Sequence, residues 1–406
     1  MRRRPVAITG LGLATPGGLS CAETWRTLLA GISTTRTDPH LHGMPVDFSC
    51  HIGDFDPVRD VGRHAWRMDR FTQLALFAAR QAVTDAGLDP SAWDGARVGV
   101  VLGVGSASME SWGPEFHKVG EGNLSVSPLL IPRSVPNMAA GEVSIDLRAN
   151  GPSLGVSTAC ASGATAIGMA KLLLQAGACD VVIAGGSESP RASAMTSLCF
   201  SRMTALSRRH HDPGGASRPF DAHRDGFVLG EGAGVLVLER EEHARARGAV
   251  VHARLSGFGQ SADAAHPTRP HPTGAGLVAS MRAALDDAGM EPHDIHHVNA
   301  HGTSTPANDL SEAQALNEVF TAPPPVTANK SIIGHAIGGA GAIEAAIGVL
   351  SLRHQTIPPT ANLDHLDERI HLDIVAKVPR PVRMETVLSN SAGFGGQNAT
   401  LVIEAP

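Results

Sequence analysis

A cysteine stands where the sequence changes from strand-forming to helix-forming residues. Cys160 follows Val156-Ser-Thr-Ala and precedes Ala-Ser-Gly163, after which an alanine- and leucine-rich run predicts a helix. Free N–H groups and the macrodipole at a helix N-terminus favour a thiolate, and small neighbours let a carbonyl approach the cysteine N–H. The pattern therefore indicates a nucleophile. A buried, inert cysteine is the open alternative, and we adopt it for Cys21, Cys50, Cys179 and Cys199.

Two histidines and a lysine stand in glycine-rich segments of the second half. His301 follows Val298-Asn-Ala at the end of a predicted buried strand, and α/β folds bind ligands at such strand ends. Lys330 and His335 flank a turn before an alanine-rich helix, whose glycines at 338, 339 and 341 predict close packing. Two structural roles are the alternatives: His301 would satisfy loop carbonyls, and His335 would cap the helix.

A glycine loop near the C-terminus surrounds one large aromatic residue. The segment is Ser389-Asn-Ser-Ala-Gly-Phe394-Gly-Gly-Gln-Asn398. A gate beside a site and a plug for a gap in the core both fit this pattern, so the loop alone does not decide between them.

The elements that must position these residues alternate between short apolar runs and helical patterns, which predicts an α/β fold. The length of 406 residues exceeds what one core usually holds, so we divide the chain into halves, 1–250 and 251–406, after a charged helix at 241–248. The clearest helix covers 71–86 and is stopped by Gly87. Buried parallel strands are predicted at 5–12, 98–105, 180–186, 233–239, 295–300, 385–390 and 399–404, and a further strand is predicted around 251–258.

Composition excludes several classes of protein. A net charge of −6 argues against a general nucleic-acid binder. No apolar run approaches the roughly 20 residues that a membrane span needs. The five cysteines show no CxxC or His/Cys metal spacing, which predicts a reducing cytoplasm and no metal site. Gly10-Leu-Gly12 lacks the third glycine of a dinucleotide-binding motif and is followed by Pro16, so we expect a tight turn there.

In their order along the chain, these motifs resemble those of one family over the whole length. Together with Arg218-Pro-Phe-Asp-Ala-His-Arg224-Asp-Gly-Phe-Val-Leu-Gly-Glu-Gly-Ala-Gly234, they are similar to the elongating β-ketoacyl-acyl-carrier-protein synthases, the type II ketosynthases with a Cys-His-His arrangement. The resemblance implies a thiolase-like duplicated fold, a layered α-β-α-β-α sandwich. It also implies a dimer, formed with an identical chain or with a ketosynthase-like paralogue.

The resemblance further assigns roles to positions of this sequence. Cys160 resembles the nucleophile that accepts the acyl chain, and His301 and His335 resemble the pair needed for malonyl decarboxylation and condensation. The supporting positions are the charged pair Lys330 and Glu344, the pantetheine contacts Thr303 and Thr305, the gate Phe394, and Phe200 in the acyl pocket. Arg63, Arg67 and Arg70 lie where related enzymes carry basic residues that face the acidic carrier protein. A solvated charged face is the alternative for these arginines.

The implied reaction is a decarboxylative Claisen condensation of a Cys-bound acyl group with malonyl-acyl-carrier protein, which gives 3-oxoacyl-acyl-carrier protein. The enzyme would need no cofactor of its own, because the substrates are carried on the phosphopantetheine of the carrier. Ala392, Asn308 and Gln397 depart from the usual family pattern, which leaves a specialised polyketide or polyene pathway open beside fatty-acid synthesis.

Three related functions compete with this interpretation. A non-catalytic, chain-length-determining partner subunit would lack the nucleophile, whereas Cys160 and both histidines are present. An initiating synthase uses Cys-His-Asn, and His335 disfavours it. A thiolase needs a second cysteine as base, and none follows Cys199.

Overall fold

The computed structural model describes residues 6–106 and 109–406. Within these residues, ten strands hydrogen-bond in one order, β10-β9-β13-β14-β8-β1-β7-β6-β4-β5, and two strand pairs, β2-β3 and β11-β12, lie apart. The strands are β1 Val6–Ala14, β2 Arg36–Thr37, β3 Phe48–Ser49, β4 Val98–Gly103, β5 Ser153–Val156, β6 Val181–Glu188, β7 Gly232–Arg240, β8 Ala253–Ala262, β9 His297–Asn299, β10 Val326–Thr327, β11 Thr356–Ile357, β12 Arg380–Pro381, β13 Thr386–Gly393 and β14 Gln397–Glu404.

The ten-stranded order contains the same pattern twice. Strands β5, β4 and β6 run parallel to one another, and β6-β7 and β7-β1 are antiparallel. The second group repeats this sequence with β10, β9 and β13 parallel, and β13-β14 and β14-β8 antiparallel. The two groups join through a short antiparallel contact between β1 and β8. One half of the chain therefore repeats the topology of the other, as the resemblance implied.

The helices complete a five-layered arrangement. Helices α7 and α13 touch strands of both groups and each other, so they form the central layer. Helices α3 and α6 cover the outer face of the first group, and α10 and α11 cover that of the second. The helices are α1 Cys21–Ala30, α2 Pro57–Asp60, α3 Arg70–Asp85, α4 Trp112–Gly120, α5 Leu130–Ser134, α6 Met138–Leu147, α7 Ser162–Gln175, α8 Ala194–Arg202, α9 Glu241–Ala246, α10 Ala275–Ala288, α11 Pro306–Val319, α12 Lys330–Ile333 and α13 Ala340–His354.

Small residues allow the two central helices to pack closely. A Cβ added to Gly163 of α7 would lie 2.9 Å from the Ala342 Cβ, and one added to Gly341 of α13 would lie 2.9 Å from the Ala164 Cβ. Because such distances are shorter than any ordinary carbon–carbon contact, larger side chains would force the helices apart. The close packing predicted from the glycines of this segment is confirmed.

Two expectations about strands were wrong. The apolar runs predicted parallel strands, yet β1, β7 and β14 pair only antiparallel, because burial on both faces gives the same apolar run in either direction. The turn expected at Gly10–Gly12 is the middle of β1, where the glycines let the carbonyls of α3 approach the strand.

The α/β class and the layered order are confirmed. In the two described ranges, no helix is both long and apolar enough to cross a bilayer.

Candidate active site

Cys160 lies in a tight turn between β5 and α7, two residues before the first residue of the helix. Ala159 adopts a left-handed backbone conformation with φ 48°, and Ser162 holds the turn. The Ser162 hydroxyl accepts a hydrogen bond from the Thr158 N–H at 2.9 Å and donates one to the Ala159 carbonyl at 2.6 Å. The local sequence thus fixes the direction in which the thiol leaves the backbone.

His301 follows β9, and a buried glutamate fixes its backbone. The N–H groups of His301 and Gly302 each donate a hydrogen bond of 2.8 Å to the carboxylate of Glu312 on α11. Burial raises the pKa of Glu312 to about 7, whereas these two N–H groups lower it. Sequence reasoning missed Glu312. Its one signal is an acidic residue on the helix that follows the histidine loop.

His335 follows α12 and is held by the segment before β7. Its N–H donates to the Val228 carbonyl at 2.8 Å, and its carbonyl accepts from the Gly230 N–H at 2.9 Å. The stretch 218–234, which carries no chemistry of its own, therefore positions a histidine more than 100 residues later in the chain.

The fold brings the thiol and both imidazoles together. The Cys160 sulfur and one ring nitrogen from each of His301 and His335 lie within 4.8 Å of one another, and all three residues are buried. The two imidazole planes are nearly perpendicular, with centroids 5.3 Å apart. Phe227, which the sequence did not single out, packs edge-on against His335 at 5.3 Å.

Lys330 lies beside His301 rather than beside its sequence neighbour His335. Its ammonium donates to the His301 carbonyl at 2.7 Å and lies 3.4 Å from His301 Nδ1. It also forms a buried ion pair with Glu344 of α13. Because an ammonium has only donors, Nδ1 must carry the lone pair and Nε2 the proton. His301 is thereby fixed as a hydrogen-bond donor at Nε2.

Both imidazoles are neutral at physiological pH. Burial, and then the charge of Lys330, hold the pKa values of His301 and His335 well below the ordinary value. The Lys330 charge disfavours the imidazolium form of both rings, but desolvation is the larger cause.

The cysteine is also neutral, which corrects the expectation of an ionised thiol. Burial raises the pKa of Cys160 to about 11, although the Lys330 charge and a hydrogen bond from the Phe394 backbone lower it. Cys160 precedes the first helical residue by two positions, and the desolvation of a buried thiolate outweighs these favourable contributions. A base must therefore accept the thiol proton during reaction.

The loop around Phe394 lies against the cysteine turn. A Cβ added to Gly393 would lie 2.6 Å from the Thr158 carbonyl oxygen and 3.0 Å from the Cys160 nitrogen. The Phe394 ring lies 6.2 Å from that of Phe200, which in turn lies 5.5 Å from that of Phe227. The three aromatic rings pack next to one another, and all three line the cavity that also contains Cys160.

A cavity of about 420 Å³ connects this buried group with the surface. Thr303 and Thr305 line it, and their hydroxyls lie 3.0 Å apart. Ala392 and Asn308, two of the departures from the family pattern, also line it. Glu344 is buried behind Lys330 and does not line the cavity, so it contacts the site through that lysine.

The three arginines predicted to face a carrier protein differ in their surroundings. Arg70 is bound to Glu231 through two hydrogen bonds of 2.7 and 2.9 Å, and Arg67 to Glu142 at 2.5 Å. Arg63 is exposed, and its Nε lies 3.2 Å from His64 Nε2. No carboxylate among the described residues pairs with Arg63, so its charge is the one most available to a partner.

Comparison with known proteins identifies the family. Residues 3–244 match the β-ketoacyl synthase N-terminal domain, and residues 252–364 match its C-terminal domain. The chain belongs to the β-ketoacyl synthase family. A relative from Coxiella burnetii, 3-oxoacyl-[acyl-carrier-protein] synthase 2, is 42% identical over 415 residues, which cover 99% of each chain.

Solved structures of ketosynthases share the fold over the full length of this family member. The ishigamide ketosynthase/chain length factor is 34% identical, with a TM-score of 0.92 and 100% of each chain covered. A type II polyketide synthase acyl-carrier protein in complex with its ketosynthase, bound to the hexaketide, is 30% identical, with the same TM-score and coverage. The thiolase-like fold of the ketosynthases is therefore confirmed for this chain.

Proposed function

We propose that this β-ketoacyl synthase condenses an acyl group held on Cys160 with a decarboxylating malonyl thioester. One observation carries the proposal: a buried thiol and two neutral imidazoles converge within 4.8 Å at the inner end of a cavity. A site for thiol acylation alone needs one base, whereas the second imidazole supplies a donor for an enolate oxygen.

Acyl transfer comes first. The Cys160 sulfur attacks the carbonyl of an acyl thioester as its proton passes to an imidazole. We assign the role of proton acceptor to His335. Lys330 already fixes His301 as a donor at Nε2, whereas His335 Nδ1 has no partner among the described side chains. The incoming thioester then breaks, and the pantetheine sulfur leaves with the proton.

Condensation follows on the acylated cysteine. A malonyl thioester loses CO₂, and the electron pair of the broken carbon–carbon bond forms an enolate, whose oxygen accepts a hydrogen bond from His301 Nε2. The enolate carbon attacks the Cys160 thioester, and the resulting oxyanion faces the backbone N–H groups of Cys160 and Phe394. The carbonyl re-forms, the Cys160 sulfur leaves as a thiolate, and it takes up the one proton that the overall reaction consumes, which water supplies. Loss of one such donor typically raises a barrier by about 3 kcal/mol.

The site is proposed to work without a resident metal or organic cofactor. Sulfur and two imidazole nitrogens are ligand types of zinc, and Cys160, His301 and His335 form such a set. The Lys330 ammonium, 3.4 Å from His301 Nδ1, repels a second cation and holds the ring in its donor tautomer. The thioesters themselves supply the reactive groups.

An acyl carrier protein and a second ketosynthase-like subunit are the proposed partners. Relatives of this fold bind a carrier protein or pair with a chain length factor. Strand β5 ends the ten-stranded sheet with exposed residues, Leu154 among them, so its free edge suits pairing with another subunit. We further propose that residues 1–250 and 251–406 form the two halves of the fold. The partner subunit is proposed to be either an identical chain or a ketosynthase-like paralogue, and the protein is proposed to be cytoplasmic. The location rests on five free cysteines.

The substrate pathway is proposed to be fatty-acid or specialised polyketide synthesis. The curated relative is a 3-oxoacyl-[acyl-carrier-protein] synthase, whereas the structural neighbours include polyketide ketosynthases. Ala392 at the cavity wall leaves space that a larger residue would fill, which favours acyl chains of unusual shape.

Mass spectrometry tests the function. The protein is incubated with a panel of acyl-carrier-protein thioesters, and the peptide that contains Cys160 is examined for added acyl mass. We expect an acyl adduct on that peptide and 3-oxoacyl product after malonyl-carrier protein is added. A folded protein with no adduct from any donor would support the alternative of a non-catalytic partner subunit. The Cys160→Ser variant is the matched control for labelling elsewhere.

A further inference from the structure

The outer end of the active-site cavity is formed by a loop that carries a cation without an acidic partner. This rim loop, residues 263–271, contributes Asp263, His266, Thr268, Arg269 and Pro270 to the cavity wall. Arg269 is the one lysine or arginine among the described cavity residues, and it is exposed. The chain is acidic overall, with a net charge of −6, yet the entrance carries an arginine without an acidic partner.

The acidic residue of the rim does not neutralise Arg269. Both oxygens of Asp263 are already engaged, one by the Asn398 side-chain amide at 2.7 Å and the other by the His271 N–H at 2.8 Å. No carboxylate within residues 6–106 and 109–406 forms an ion pair with the Arg269 guanidinium. Its charge is therefore available to an anion that enters the cavity.

The backbone of the rim loop is held in place. The N–H groups of Thr268 and Arg269 both donate to His266 Nδ1 at 3.1 Å. The Pro267 carbonyl accepts a hydrogen bond of 2.6 Å from the Gly395 N–H, in the loop that also carries Phe394. Since the loop is tied both to itself and to the wall of the site, less ordering is needed when it binds a ligand.

The hydrogen bonds of His266 also determine its tautomer. Because Nδ1 accepts from two N–H groups, the proton of the neutral ring lies on Nε2, so the imidazole is a donor. The guanidinium of Arg269, the hydroxyl of Thr268 and this imidazole are the polar groups that anions prefer. Three donors of the rim loop thus line one side of the entrance, while Cys160 lies at the inner end.

We infer that Arg269, with Thr268 and His266, binds the phosphate of the phosphopantetheine arm that delivers the thioester. This inference rests on the proposed function. The arm is an uncharged chain apart from its phosphate, so the phosphate is the one anionic group of the arm. A malonyl carboxylate would lie at the thioester end beside Cys160, whereas the phosphate would lie at the outer end, where Arg269 is placed. Arg269 is a binding residue remote from the reacting atoms, and its effect belongs in KM rather than kcat.

Two thioesters that differ only in the phosphate test the inference. CO₂ release is measured with malonyl-pantetheine and malonyl-4′-phosphopantetheine. For the wild-type protein we expect a KM about fivefold lower with the phosphate, a difference that declines with added salt. Arg269→Ala is expected to remove the difference by raising KM for the phosphorylated substrate alone, with kcat unchanged. Arg269→Lys should keep part of it, because the charge remains but the planar fork is lost.

Arg383 provides the matched control, since its side chain is 92% exposed and does not line the cavity. Arg383→Ala should retain the full difference between the two substrates. The inference is overturned if the wild type shows no preference for the phosphate, or if Arg269→Ala keeps the preference.

A separate binding measurement distinguishes this inference from the proposed function. Calorimetric titration of the wild type and Arg269→Ala with 4′-phosphopantetheine and pantetheine needs no turnover. Absence of CO₂ release from either malonyl thioester would reject the proposed function, while tighter binding of the phosphorylated arm, lost in Arg269→Ala, would still support the rim site. Equal binding of both arms by both proteins would reject the rim site.

Discussion

The Lys330 ammonium donates to the His301 carbonyl at 2.7 Å and lies 3.4 Å from Nδ1 of the same residue. One side chain therefore fixes both the backbone and the tautomer of the proposed enolate donor, and its charge also lowers the pKa of His301.

Replacing this lysine should move the acid limb of the pH–rate profile. In Lys330→Met, the pKa of His301 rises because one of the causes that lower it is gone, and a neutral imidazole is the active form. As the pH is lowered, the rate of malonyl decarboxylation should begin to decline at a higher pH than in the wild type. At neutral pH the rate of the variant should be roughly tenfold below that of the wild type. CO₂ release between pH 5 and 9 is the measurement.

Lys171 offers a control for the loss of a buried lysine. Its side chain is buried and forms an ion pair with the partly exposed Asp287, away from the described cavity. Lys171→Met should lower thermal stability without moving the acid limb. A profile of unchanged shape in Lys330→Met would reject the role of this lysine.

The buried thiol should be slow to react at neutral pH. With a pKa of about 11, roughly 0.1% of Cys160 is thiolate at pH 8, so its alkylation by iodoacetamide should rise about tenfold per pH unit up to pH 10. Labelling is followed on the Cys160 peptide by mass spectrometry. Cys199 is exposed, contrary to the expectation that it is buried, so it reports on the reagent in the same sample. If labelling levels off below pH 8, the pKa of the Cys160 thiol is below 8, and stabilisation of the thiolate by the helix N-terminus exceeds the effect of burial.

A single methyl group at Gly393 should disable the site while leaving the fold intact. Its backbone, with φ −106° and ψ 157°, suits any residue, so the effect of Gly393→Ala comes from contact with the cysteine turn and not from strain. Displacement of the adjacent Phe394 N–H from the oxyanion position should reduce condensation about a hundredfold. Turnover and melting temperature are compared.

Gly113 supplies the matched glycine, because nothing lies within 4 Å of a Cβ added there. Gly113→Ala should keep full turnover. If Gly393→Ala retains full condensation activity, the oxyanion does not bind to the Phe394 N–H.

Charge reversal at Arg63 should weaken the interaction with the carrier protein. Arg63→Glu is chosen because Arg67 and Arg70 are paired with Glu142 and Glu231, and their reversal would disturb those contacts. We expect KM for malonyl-carrier protein to rise about fivefold, while KM for a small malonyl thioester stays unchanged. Arg383→Glu controls for net charge, and an equal change with both substrates would remove Arg63 from the docking surface.

His297 should make the protein sensitive to acid. It is buried, neither ring nitrogen has a partner among the described groups, and desolvation lowers its pKa to about 3. Between pH 6.5 and 3 the unfolded chain binds a proton there that the folded chain does not, so stability falls as pH falls through this window. We therefore compare the free energy of unfolding of His297→Leu with that of the wild type at each pH. The difference should favour the variant by about 2 kcal/mol more at pH 5 than at pH 7.

Urea denaturation at both pH values measures this gain. His293 has a side chain that is 83% exposed, and His293→Leu should show no such difference between the two conditions. An equal stability change at pH 5 and pH 7 for His297→Leu would contradict the assigned pKa.

Local sequence patterns were sufficient to predict the α/β class, the order of the motifs and the residues around which the site forms. These depend on local patterns: apolar runs make strands, small residues permit the turn at Cys160, and glycines let α7 and α13 approach. The likeness of the motifs to one family supplied the duplicated fold and the pairing of Cys160 with His301 and His335.

Long-range packing set the properties that depend on distant parts of the chain. Strand direction followed from the pairing of β1 with β7 and β8, which an apolar run does not encode. The protonation of Cys160 followed from burial, and the contacts of Lys330 and Glu312 with His301 followed from the packing of α11 and α12 around β9. Desolvation and long-range contacts act only once the chain is folded, so spacing along the sequence could not reveal them.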